Sequence, residues 1–239
     1  MPALVAALAA RRELAPGIAE LVFEMRSPET LAFRAGQFVS IAVDEAEART
    51  GASTRRSYSI ASPTSAGGKL RFIIRVMPEG AASAFLMGLP LGGEVHLTGP
   101  HGFFVLDPAH AGDVVFGATG TGLAAVMPML AELASRPESG RRHVFWGARE
   151  ESDLFARAEV EDLAARAGAN LSIHLSSPGP GWTGARGRIT AAVLDALPAL
   201  SSPTFYLVGN GAMINELKRE LVARGVNRKA QIRTEAFFD

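Results

Sequence analysis

Gly117-Ala118-Thr119-Gly120-Thr121-Gly122 follows a short apolar run at residues 113–116 and opens a stretch where Leu123, Val126, Met127, Leu130 and Leu133 recur at helical spacing. A glycine-rich turn between strand and helix lets backbone amides crowd a phosphate, and the helix dipole favours its charge. The alternation continues downstream. Residues 143–146, 170–175, 204–208 and 230–234 read as strands, while 154–167, 189–197 and the stripe Ile214, Leu217, Leu221 read as helices. Strands alternating with helices of this length call for a parallel sheet covered on both faces. Residues 112–239 are therefore expected to form an α/β nucleotide-binding domain.

The first part of the chain reads differently. Apolar runs at residues 18–25, 37–43, 56–61, 70–76 and 94–97 are short and separated by turn residues, and only 82–89 looks helical. The apolar residues 1–10 read as a first strand, because Arg11 and Arg12 follow them, whereas a leader has its basic residues first. This spacing predicts an antiparallel barrel or sandwich over residues 1–104. Residues 44–54 are small and polar and read as a mobile loop, and residues 105–112, with Pro108, as a linker.

Arg56-Ser57-Tyr58-Ser59 lies in one of the predicted strands. Residues 56 and 58 share a face, and Ser59 points the other way unless the strand ends there. A guanidinium suits a pyrophosphate and a tyrosine ring suits a flat heterocycle. Further on, Pro78-Glu79-Gly80-Ala81-Ala82-Ser83 opens the helical segment, with amides placed to meet a phosphate. Ser83 is either a helix cap or a direct phosphate ligand. Together the two elements suit a flavin dinucleotide. Two nucleotide sites in this order suggest hydride passing between two cofactors.

Composition removes other classes. The chain has 239 residues, 24 basic and 24 acidic, with no run of one sign, so no nucleic-acid footprint appears. It has no cysteine, hence no disulfide, thiolate zinc site, catalytic thiol or cysteine-ligated iron–sulfur cluster within it. The five histidines show no metal-ligand spacing. No apolar stretch approaches the roughly 20 residues of a membrane span, and a cytoplasmic protein is expected. A single-domain short-chain dehydrogenase is rejected. Its glycine turn opens the chain, and its tyrosine has a lysine four residues on, where this chain has Ser62 and Asn210 after its two tyrosines.

With these residues in hand, the whole chain resembles the ferredoxin–NADP reductase superfamily. Arg56-Ser57-Tyr58-Ser59 is similar to its flavin motif, Gly80-Ala81-Ala82-Ser83 to its pyrophosphate turn, and Thr119-Gly120-Thr121-Gly122 to its nicotinamide-nucleotide turn. Tyr206-Leu207-Val208-Gly209-Asn210-Gly211-Ala212-Met213 resembles the late motif near the nicotinamide. The ending Glu235-Ala236-Phe237 resembles the acidic–x–aromatic end whose ring covers the flavin, with Phe238 competing for that place. The resemblance implies a flavin-binding antiparallel β-barrel followed by a five-stranded parallel domain. It further implies that reduced nicotinamide nucleotide passes hydride to FAD, and electrons move on to an acceptor protein such as a ferredoxin or an oxygenase component.

On this resemblance Arg56 and Ser83 hold the pyrophosphate, with Ser57, Gly80 and Ala82 beside them. Tyr58 packs on the flavin, Ser59 serves its N5, and backbone at Arg75 and Val76 meets its edge. Glu235 aids charge or proton balance, or is simply a solvated carboxylate. Phe237 shields the ring and moves for nicotinamide, while Gly209, Asn210 and Met213 form the late nicotinamide wall. Ala125 stands where the family has a proline, and Val208 and Asn210 where it has a cysteine and a proline. Arg149, Arg186 and Ser176-Ser177 are the candidates for reading the nucleotide's 2′ position; Pro178 follows the serines, and the balance leans to NADH. Trp182 is read as packing or as an adenine contact. Direct reduction of a small acceptor (free flavin, quinone, ferric chelate) and a non-catalytic nucleotide-binding subunit are the competing readings.

Overall fold

The computed structural model describes residues 4–43, 55–137 and 139–238. The predicted mobile loop at 44–54 lies outside the described residues. β1 (Leu4–Ala15) and β2 (Ile18–Ser27) form a hairpin that turns at Gly17, whose φ of 67° suits glycine. β3 (Phe38–Ala42), β4 (Arg55–Ser59), β5 (Lys69–Arg75) and β6 (Glu94–His101) complete an antiparallel sheet in the order β4-β3-β6-β1-β2-β5. Alternate residues point inward: Leu21 and Phe23, Val39 and Ile41, Val95 and Leu97 share one core. α1 (Ala81–Gly88) adds Leu86 to it.

The expected barrel is an open one. β4 and β5 are the two edges of the sheet, and side chains rather than a ladder meet between them, with the Tyr58 and Phe72 rings 6.3 Å apart.

The second sheet is built from β7 (Val114–Thr119), β8 (Arg142–Ala148), β9 (Ala169–Leu175), β10 (Ala185–Arg186), β11 (Thr204–Asn210) and β12 (Ile232–Phe238). All its pairings are parallel, in the order β10-β9-β8-β7-β11-β12. It thus has one strand more than expected, the two-residue β10 at the edge, too short to leave a periodic signal. Its strands sort their side chains by period two. Phe116, Val144, Trp146, Tyr206 and Val208 pack under α2 (Leu123–Leu133) and α3 (Arg157–Arg166). Val115, Phe145, Phe205 and Leu207 pack under α4 (Ile189–Ala196) and α5 (Gly211–Ala223).

Two boundaries move for local reasons. The helix expected from residue 154 starts at Arg157, because Glu150 and Asp153 cap each other's backbone around a one-turn helix at Glu151–Asp153. The strand expected at 230–234 starts at Ile232, because Asn227 Oδ1 accepts from Lys229 and Ala230 N–H and holds α6 (Arg228–Gln231). The ends of α2 and α3 are tied together by the buried Arg142 guanidinium, which donates to the carbonyls of Leu133 (3.0 Å) and Ala167 (2.7 Å). A cation suits the negative ends of both helix dipoles.

Among the described residues the connection at 102–113 is the only point where the chain passes from one sheet to the other, and it is irregular but held. Arg34 donates to Leu106 O at 2.9 Å, and Tyr206 Oη accepts from Asp107 N–H at 3.2 Å. Ile18, Ala35, Ala61 and Ile73 of the first lobe join Phe104, Leu106 and the α2 side chains in one continuous cluster.

Candidate active site

A cleft of about 430 Å³ opens between the lobes. Its walls come from motifs widely separated in sequence: Arg56 to Ser59 on β4, Arg75 on β5, Gly80 to Ser83 at the start of α1, Thr121 and Ala124 at the start of α2, and Glu235 to Phe237 on β12. The open edge of the first sheet is what makes room for it. β4 has only β3 as a ladder partner, so its other side faces the cleft.

Arg56 is exposed, and its one hydrogen bond among the described residues goes to Arg55 O at 2.9 Å. Four of its five N–H donors remain for an anion. Tyr58 is half-buried against Phe72. Burial pushes its hydroxyl pKa up to about 12, with nearby Arg56 opposing, so the phenol stays neutral. Ser59, on the opposite face of the same strand, reaches the other lobe and donates from Oγ to Glu235 Oε1 at 2.6 Å. Burial raises the Glu235 pKa above the ordinary carboxylate range, and the Ser59 hydrogen bond pulls it part of the way back. Glu235 is therefore a partly buried, hydrogen-bonded carboxyl rather than a solvated one.

Gly80 is the N-cap of α1 and supplies no side chain there. Ser83 is not that cap. Its Oγ accepts from Met77 N–H at 2.9 Å, closing the turn before the helix, and its hydroxyl proton is left for a further acceptor. The start of α2 is similar: the one-turn helix Gly120–Gly122 leads into it with no side-chain cap. Gly120, at φ 52°, faces open space, and its carbonyl accepts from Trp146 Nε1 at 3.3 Å. Two helix N-termini thus present amides to one cleft.

The late motif packs directly on the glycine turn. A Cβ on Gly122 would lie 2.9 Å from Gly209 Cα, and one on Gly209, at φ 115°, would lie 2.4 Å from Thr119 Oγ1. That Thr119 Oγ1 accepts from Asn210 N–H at 2.9 Å, while Asn210 Oδ1 accepts from Met213 N–H at 3.0 Å and caps α5. Met213, in the first turn of α5, is buried in the core and is not among the cleft walls.

Other predicted residues stand apart. Val76 donates its N–H to Gly17 O at 2.8 Å and is not a cleft wall. Arg75 is a wall, but its guanidinium is committed to Asp153 Oδ1 at 2.8 Å. Arg149 lies past the end of β8, 77% exposed and 3.6 Å from Glu150, and its carbonyl accepts from Ser177 N–H at 2.8 Å. Arg186 donates to Trp182 O, and Trp182 is buried with its indole N–H on Ala185 O, so the structure gives this ring a packing role. Phe237 is a cleft wall and packs against the shared core; the Phe238 side chain lies outside the described residues.

Sequence reasoning missed Phe38, Asp153 and the second use of Trp146. Phe38 pairs with Ser59 across β3 and β4, so only the strand register reveals it as a cleft wall.

The chemistry of the donor set fits two dinucleotides: two uncapped helix starts, an available guanidinium, a neutral tyrosine, and a hydroxyl–carboxyl pair where the walls converge.

Known proteins align over the same two lobes. The family described as the oxidoreductase FAD-binding domain matches residues 5–106, and the oxidoreductase NAD-binding domain matches residues 116–219. Ferredoxin--NADP reductase B of Sorangium cellulosum is 33% identical over 227 residues, spanning 92% of this chain and 91% of its own. The phenol 2-monooxygenase reductase component DmpP of a Pseudomonas species is 32% identical, over 85% of this chain but 57% of its own length. The crystal structure of the Amycolatopsis reductase GcoB superposes with a TM-score of 0.87 at 26% identity, covering 99% of this chain and 70% of that one.

Proposed function

The chain belongs to the ferredoxin–NADP reductase superfamily, and on that premise we propose that it takes hydride from reduced nicotinamide nucleotide and passes electrons to a separate acceptor protein. The relatives' names make a ferredoxin or an oxygenase component the kind of acceptor to try first. The observation that carries the reading is the single cleft shared by the Arg56-to-Ser59 strand, the α1 start and the glycine turn.

Bound FAD would accept one hydride and pass its two electrons on singly, with release of the proton. This chain's residues would bind, orient and shield. Arg56, Ser83 and the amides of Gly80 and Ala82 would hold the flavin pyrophosphate, with Ser57 alongside and the Arg75 backbone at the flavin edge. Tyr58 packs on the ring as a neutral hydrogen-bond donor. Ser59 fixes the Glu235 carboxyl, which holds a proton more readily than an exposed glutamate. Phe237 would cover the ring face and move aside for nicotinamide. Thr119, Gly120, Thr121 and Gly122 receive the second pyrophosphate, with Gly209 and Asn210 as their backing. Arg149 stands at the adenosine end beside Ser176-Ser177, and its pairing with Glu150 supports NADH over NADPH.

The same proposal takes residues 1–104 and 112–239 as the two functional domains and the cytoplasm as the location. Among the described residues no helix is long and apolar enough to cross a membrane.

Anaerobic mixing with NADH or NADPH, then identification of the released flavin, tests the proposal. A yellow protein bleached faster by NADH is expected; a protein that refuses flavin ends the redox reading. Turnover with free flavin, quinone or ferric chelate, compared with a ferredoxin, separates the small-acceptor alternative.

A further inference from the structure

Residues 71, 73 and 75 share one face of β5, an edge strand of the first sheet, and that face looks at the second lobe. Ile73 joins the cluster that runs under α2. On either side of it an arginine crosses to the other lobe. Both Nη atoms of Arg71 reach the Glu159 carboxylate on α3, with Nη2–Oε2 at 2.8 Å, while its Nε donates to Glu20 Oε1 at 2.6 Å. Arg75 Nη2 reaches Asp153 Oδ1 in the turn after β8 at 2.8 Å. Glu20 also binds Arg12, so charges alternate from β1 through β2 and β5 to α3.

We propose that Arg71 and Arg75 are positioning residues that set the registration of the two lobes, and through it the transfer of hydride across the cleft. This rests on the reading of the cleft as the hydride path. Among the described residues the chain crosses between lobes once, so rotation about that crossing must be fixed by non-covalent contacts. The shared apolar cluster is non-directional and tolerates sliding. A bidentate guanidinium–carboxylate pair does not, because its two parallel bonds fix orientation as well as distance. In the inter-lobe pair the Arg71 side chain is 16% exposed and Glu159 39%, so solvent and salt reach it from the Glu159 side, while the buried Glu20 holds the Arg71 guanidinium in place from the other. The Arg75–Asp153 bond is single, but placed four residues along the same strand it adds a second anchor point to the bidentate one. Arg75 makes the link to chemistry direct, since it is at once a tie and a wall of the cleft.

The test leaves both arginines in place and neutralises their partners, in the double variant Asp153→Asn with Glu159→Gln. Flavin content should be unchanged, and the rate constant for anaerobic flavin reduction by NADH should fall about tenfold or more, since a misplacement of about 1 Å can cost on the order of 10²-fold. Amide exchange over residues 71–75 and 121–125 should quicken in both flavin-loaded and flavin-free protein. Asp153→Glu with Glu159→Asp, which keeps both charges, should recover most of the rate and the protection. A wild-type rate in the neutral double variant, or unchanged exchange at both segments, overturns the proposal. A wild-type protein that neither nucleotide bleaches instead removes the redox reading, and the exchange measurement then decides the positioning claim alone.

Discussion

The two proposed anion cradles of the cleft are built on different plans. The one on the first lobe adds side chains to the amides of the α1 start: Arg56 on an open sheet edge, Ser83 in the first turn of α1, and Tyr58 between core and cleft. The one on the second lobe works with backbone, because Gly122 and Gly209 touch across a gap that no Cβ would enter. Side-chain recognition can be trimmed a group at a time, whereas a backbone-to-backbone contact is kept or lost whole.

The sharpest way to break this contrast is Gly209→Ala. The added methyl would meet Thr119 Oγ1 and O at 2.4 and 2.6 Å on a backbone at φ 115°. Overpacking and strain of this kind cost about 1–3 kcal/mol each. A large drop in thermal midpoint and loss of nicotinamide binding are expected, with flavin affinity less affected; a normal melting curve would refute the contact. Arg56→Ala comes next. Losing hydrogen bonds from a charged group costs about 1.5–3 kcal/mol, roughly ten- to a hundredfold in flavin affinity, with stability of the flavin-free protein little changed. Flavin titration of the stripped protein checks this.

A subtler contrast lies in two carboxylates at the lobe interface. Burial raises the Glu235 pKa, so the stability it contributes is full below the ordinary carboxylate range and is lost as pH rises through its raised value. Burial also opposes ionisation of Asp153, but the Arg75 hydrogen bond and the backbone N–H donors win, and its pKa is lowered. Its contribution is full above the ordinary range and is lost as pH falls through the depressed value. Urea midpoints against pH should therefore change slope in opposite senses in Glu235→Gln and Asp153→Asn; parallel profiles would contradict the assignment. The smallest effect is expected for Asn210→Ala, which removes the cap of α5 and costs about 1 kcal/mol. The readout is a modest fall in urea midpoint with the flavin spectrum intact.

Much of this was legible in the sequence because it is periodic or local. The period-two runs and helical stripes predict both sheets, and the glycine turn falls where strand gives way to helix. The site motifs were legible as types, since a cation, a ring and a hydroxyl on one strand announce their own chemistry. What could not be read depends on contacts between distant residues. Ser59 and Glu235 are 176 positions apart, and nothing in either segment says that they share a proton-bearing hydrogen bond. Arg75 reads as backbone at a cofactor edge, yet its side chain ties the lobes, because Asp153 arrives from a turn with no periodic signature. Ser83 reads as a helix cap or a phosphate ligand from its spacing; Gly80 takes the cap position, and Ser83 Oγ accepts from Met77 N–H.

The indole of Trp146 gives the glycine turn a built-in optical readout. Its N–H rests on the Gly120 carbonyl, so anything that shifts the peptide at Gly120 also alters the polarity felt by that ring. Trp182, the other tryptophan, is anchored to Ala185 O in a separate loop and contributes an emission unrelated to the glycine turn. With Trp182 replaced by phenylalanine, ultraviolet emission alone would follow nucleotide arrival at the second lobe, even in protein stripped of its yellow colour.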